Sequence, residues 1–212
     1  MLKIGEKEFQ LNEDETSFYG WLDRDPSEQG RTPRLTWNLY ISAQVLELDV
    51  RDLLPHESDL KLDPPVRELS PILDFCGIEI SANDWKDIVG FSTEDCASFS
   101  FYIIGEFDHL SIEACSLSFL KREGPLFTVE FSGKGGREDC GIDFPFCGLL
   151  DVPFHGVGME FLLSEKDPVE IGQRLLKRHL PNCSYSNYEL TRVPKNAPPE
   201  IARQNLVFLP GS

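Results

Sequence analysis

No stretch of this sequence holds the roughly 20 consecutive apolar residues that a bilayer-spanning helix requires, because Asp, Glu, Gly or Pro breaks every apolar cluster within a few positions. Charge enters at Lys3 and Glu6, before an apolar run fit for export builds, so neither membrane insertion nor secretion is expected. The six cysteines, Cys76, Cys96, Cys115, Cys140, Cys147 and Cys183, form no CxxC pair. In the reducing cytoplasm that the lack of an export signal implies, all six are expected as thiols. Base is scarce as well. Twenty Lys and Arg face 36 Asp and Glu, a formal charge of −16. Such a chain repels phosphate backbones and anionic lipid, so nucleic acid and membrane are not expected partners.

What is present is enough for a core. Apolar residues make up 41% of the 212 positions and Phe occurs 15 times, and a chain of this length buries roughly 70% of its unfolded surface. With no fixed-period repeat and no low-complexity linker, residues 1–212 are expected to form one acidic domain. Its charge is uneven: residues 1–170 carry 34 acids and 14 bases, whereas residues 171–212 carry 2 acids and 6 bases. The basic C-terminal segment is suited to dock on the acidic body.

Hydrophobic period sets the expected elements. Leu2 to Leu11 reads as a hairpin around Gly5 and Glu6, and residues 12–34 as a charged, Gly- and Pro-rich loop pinned by Phe18, Tyr19, Trp21 and Leu22. Leu35, Trp37, Leu39 and Ile41 alternate with Thr36, Asn38, Tyr40 and Ser42, a half-buried strand. Ser81 is placed to cap a short helix over 82–89 that Gly90 ends. Residues 110–132 read as an antiparallel hairpin turning at Gly124 and Pro125, and a phase slip predicts a β-bulge near Ala114. GKGGREDCG at 133–141 reads as a glycine loop, followed by two strands and by a helix over 168–180. The expected fold class is therefore α+β: a twisted antiparallel sheet of about six to eight strands with one or two helices packed on it. An all-β sandwich with peripheral helices is the rival.

Motifs for chemistry are weak. Gly133, Lys134, Gly135 and Gly136 lack the wider glycine spacing and the Lys-Ser/Thr pair of a phosphate loop. Cys140, Cys147 and His155 match no zinc-ligand spacing, and Cys147, His155 and Asp151 carry no local nucleophile signature. Glu106, Asp108, Glu130, Asp143 and Glu160 are abundant carboxylates with nothing in their spacing to unite them. No catalytic residue, metal or cofactor is expected. Aromatics are more informative: Trp37 and Trp85 fall in core stripes, while Phe18, Tyr19 and Trp21 cluster in a charged segment as candidate partner-binding anchors. The absence of a catalytic signature together with the charge leads to the expectation of a cytoplasmic protein-binding module, an inhibitor of a basic partner that resembles, in composition and layout, the immunity proteins that neutralise toxins. The alternative is an enzyme with a pocket between sheet and loops.

Overall fold

A computed structural model describes residues 1–23, 33–49, 66–95, 99–104, 107–137, 142–191 and 203–211. Strands occupy 66% of it and helices 10%. Thirteen strands follow in order: β1 (Leu2–Ile4), β2 (Lys7–Phe9), β3 (Ser17–Asp23), β4 (Arg34–Ser42), β5 (Leu46–Asp49), β6 (Val66–Ile78), β7 (Ser92–Thr93), β8 (Phe99–Ile104), β9 (Phe107–Glu123), β10 (Leu126–Arg137), β11 (Ile142–Leu162), β12 (Tyr185–Thr191) and β13 (Arg203–Pro210). Among the described residues one α-helix, α1 (Pro168–His179), lies between β11 and β12. The expectation of an α+β protein with six to eight strands is thus wrong, and the chain is mostly β in one large mixed sheet. No described helix is long and apolar enough to cross a membrane.

The hydrogen-bonded path runs β10-β9-β8-β6-β4-β3-β11, and β10 bonds back to β11, closing the ring. β11 makes closure possible by serving two neighbourhoods. From Ile142 to Pro153 it pairs antiparallel with β10; from Phe154 to Gly158 it pairs in parallel with β3, and from Val157 to Leu162 antiparallel with β13. The register with β3 jumps between Phe154 and Val157, where Gly156 adopts φ +84 and lets the strand turn. The two strands expected over this stretch are therefore one bent strand.

Phenylalanine fills the ring because glycine makes room for it. A Cβ added at Gly133 would lie 2.6 Å from the Phe146 ring, at Gly135 2.4 Å from Phe101, and at Gly148 2.4 Å from Phe131. Gly133–Gly136 belong to β10, so the expected loop is a strand whose missing side chains are volume given to rings on its neighbours. Residues 138–141 lie outside the described set.

Other expectations meet the structure residue by residue. Gly5 turns the β1–β2 hairpin with φ +55, and Gly124 turns β9–β10 with φ +59. The bulge falls beside Ala114: Lys134 pairs with Ala114 and Gly135 with Ile112, skipping Glu113. A second skip leaves Leu120 unpaired between Phe119 and Lys121. The segment over 82–89 forms only a 3-10 turn, Trp85–Ile88, whose Trp85 and Ile88 enter the core. α1 starts with Pro at its first turn and buries Gly172 and Leu176, and Gly172 admits the Phe208 ring where a Cβ would stand 2.5 Å away. The basic C-terminal segment does join the body, through β13 on β11 and an Arg203–Glu160 ion pair.

Candidate functional site

Alternation along β3 separates the three nominated aromatics. Phe18, Gly20 and Leu22 point inward and are buried, while Tyr19 and Trp21 point outward. Phe18 is therefore no partner-binding anchor: it is 0% exposed, with Trp37, Phe119, Phe127 and Phe154 rings within 5.6 Å of its own. The loop expected over 12–34 is in its described part largely a strand, since a period of two in SFYGWLD wins over the surrounding charge. Residues 24–32 lie outside the described set.

Tyr19 and Trp21 stand on the outer face of β3-β4-β6. Trp21 lies over β11 at Gly158, where a Cβ would come within 2.8 Å of the indole, so glycine lets the ring lie flat on the sheet. Tyr19 pairs across to Asn38, whose Oδ1 accepts the Gly77 amide at 3.1 Å. Ser17 pairs with Tyr40 and Tyr40 with Asp74, which sets a second aromatic ring beside a carboxylate. Glu15 joins them, accepting the Ser42 hydroxyl at 2.7 Å.

Asp74 gives this face its electrostatic character. Its flanking residues Leu73 and Phe75 are fully buried, and partial burial pushes its own carboxyl above the usual value. Burial first, then the charges of Asp74 and Cys76, raise the Tyr19 hydroxyl; burial, then Glu15 and Asp74, raise that of Tyr40. The thiol of Cys76 is pushed up by burial and then by Asp74. These groups share one electrostatic neighbourhood of negative sign, and among the described residues no Lys or Arg pairs with Asp74. The arrangement suits a cationic side chain, which an aromatic face and a carboxylate attract together.

A raised carboxyl has a sign that can be tested. The folded chain holds the Asp74 proton more tightly than the unfolded chain does. The stability this confers is present below the ordinary value of 3.8 and is lost as pH rises through the folded value. Asp74→Asn is accordingly expected to raise Tm at neutral pH and to flatten that decline in a pH series of thermal melts. A lower Tm at neutral pH would show that the carboxylate is compensated in the fold.

The other constellations do not assemble. Cys147, Asp151 and His155 all lie on the exposed face of β11, but a strand's rise of about 3.3 Å per residue spaces neighbours in this set by about 13 Å. Asp151 accepts the Thr128 hydroxyl instead. Cys140 is outside the described residues, among which no group of three His, Cys, Asp or Glu could hold a metal. Of the described cysteines, Cys147 is exposed, Cys76 is half-buried, and Cys115 and Cys183 are buried, Cys115 as a small apolar residue. Cys96 also lies outside the described set.

Tyr40 and Asp74 were each readable as outward positions, Tyr40 from the alternation of β4 and Asp74 from its place between Leu73 and Phe75. Their meeting depends on strand register between segments more than thirty residues apart, which no local pattern carries. No family model, curated protein or solved structure matches the chain.

Proposed function

We propose that the chain is an acidic protein-binding module of the cytoplasm that inhibits a basic partner, holding it on the outer face of β3-β4-β6. The observation that carries this reading is the set Tyr19, Trp21 and Tyr40 interleaved with Glu15 and Asp74, where a carboxylate is kept partly out of water without a described cation. A fold gains nothing from such a carboxylate, whereas a lysine or arginine arriving from a partner offsets its desolvation and stacks on the rings. The formal charge of −16 supplies the long-range field that speeds encounter. The rings, once covered, slow escape.

The test is affinity capture on the full chain, mass spectrometry to identify what is held, and kinetics with Trp21→Ala. Because Trp21 is only half-buried on an outer face, the variant is expected to fold with a near-normal Tm. Its complex should dissociate about tenfold faster, a change worth about 1.4 kcal/mol. An unchanged dissociation rate would remove Trp21 from the interface, and a collapse in Tm would make it a structural residue.

A further inference from the structure

A large cavity whose sign runs against the rest of the molecule lies where the β9–β10 turn, the 3-10 turn and the end of β13 meet. It measures about 840 Å³, within the usual range for a small-molecule site. Its walls include Trp85, Val89, Leu120 and Pro125, and its charged lining is Lys86, Lys121 and Arg122 against Asp84 alone. Lys121 is itself ion-paired with Glu123, so Lys86 and Arg122 against Asp84 set the sign of the lining, the inverse of the balance in a chain with 36 acids and 20 bases.

Two features make this more than a basic patch. The bulge at Leu120 leaves a large apolar side chain 47% exposed beside the cavity, next to the cationic Lys121 and Arg122 in sequence. Arg122 is also held in place: its Nε donates to the Gly124 carbonyl at 3.0 Å, and its guanidinium carbon lies 5.7 Å from the centroid of the buried Phe127 ring. Fixed through Nε and one planar face, a guanidinium has its terminal nitrogens to offer as paired donors. The acid of the lining, Asp84, has the Cys183 thiol 3.9 Å from its Oδ1.

We propose that this cavity binds a small apolar carboxylate, an aliphatic or aromatic acid whose carboxyl group meets Arg122 and Lys86 while its body lies against Val89, Leu120 and Pro125. The apolar wall disfavours a bare anion, and the cations disfavour a neutral apolar molecule relative to the acid of the same length. The site is separate from the outer face of β3-β4-β6 and stands whether or not a protein docks there.

Calorimetric titration of the full chain with octanoate, 1-octanol and inorganic phosphate tests this directly. Octanoate is expected to bind one to one and saturably, with 1-octanol and phosphate each weaker by about tenfold or more. Lys86→Gln and Arg122→Gln should each weaken octanoate by about fivefold or more, whereas Trp21→Ala should leave its Kd unchanged. Lys86 is exposed, so its variant keeps the test valid should Arg122→Gln misfold. The proposal is overturned if octanoate shows no saturable binding below a Kd of about 1 mM. It is equally overturned if 1-octanol or phosphate matches octanoate, or if Lys86→Gln binds octanoate as the unmodified chain does.

Discussion

Phe18→Ala is expected to destabilise the chain by about 3–5 kcal/mol, the range for truncating a fully buried aromatic side chain. Four aromatic rings converge on Phe18 from β4, β9, β10 and β11, so its removal opens a cavity at the point where opposite sides of the closed sheet touch. Rings held by separate strands cannot collapse into that space without moving the strands themselves, which places the cost toward the upper end. Urea unfolding followed by tryptophan fluorescence measures it, with Trp37 as a nearby reporter whose ring centroid lies 5.6 Å away. A loss below about 1 kcal/mol would put Phe18 among surface residues, restoring it as a possible anchor and contradicting its burial.

Gly156→Ala should cost about 3 kcal/mol for two separable reasons. At φ +84 an L-residue is strained by about 1–2 kcal/mol, and a Cβ there would stand 2.2 Å from the Phe208 carbonyl oxygen. That oxygen is backbone of β13, so relief requires moving a paired strand, an overpacking cost of about 1–3 kcal/mol. Gly90→Ala isolates the first part, because Gly90 has φ +90 but nothing within 4 Å of an added Cβ. Equal losses of stability in the two variants, measured by urea unfolding, would mean that the approach of β13 to β11 is looser than described.

Local period carried much of this architecture and long-range closure carried the rest. Trp37, Leu39 and Ile41, the β9–β10 hairpin, the slip beside Ala114 and the helix from Pro168 all follow from spacing within a dozen residues. The strand count failed where a local sign had a non-local cause. Gly133 and Gly135 carry turn-like composition because Phe146 and Phe101, from other strands, need the space. Gly156 resembles a break between strands and is a bend within one. In the nominated cluster, composition around Phe18, Tyr19 and Trp21 indicated a loop, yet period two over Ser17–Asp23 already divided the three between core and surface. Tyr40 and Asp74 became visible as neighbours only with the β4–β6 register.

The outer face of β3-β4-β6 as the seat of a basic partner is tested most directly by association rates of the captured partner, measured with the unmodified chain and with Asp74→Asn at several ionic strengths. Raising salt from 0.01 M to 0.15 M shortens the Debye length from about 30 Å to about 8 Å. Steered association of the unmodified chain should slow by about tenfold or more over that interval. Asp74→Asn, although more stable at neutral pH, should bind more weakly at every salt concentration. Association that is indifferent to salt, together with an Asp74→Asn complex as tight as the original, would contradict the account.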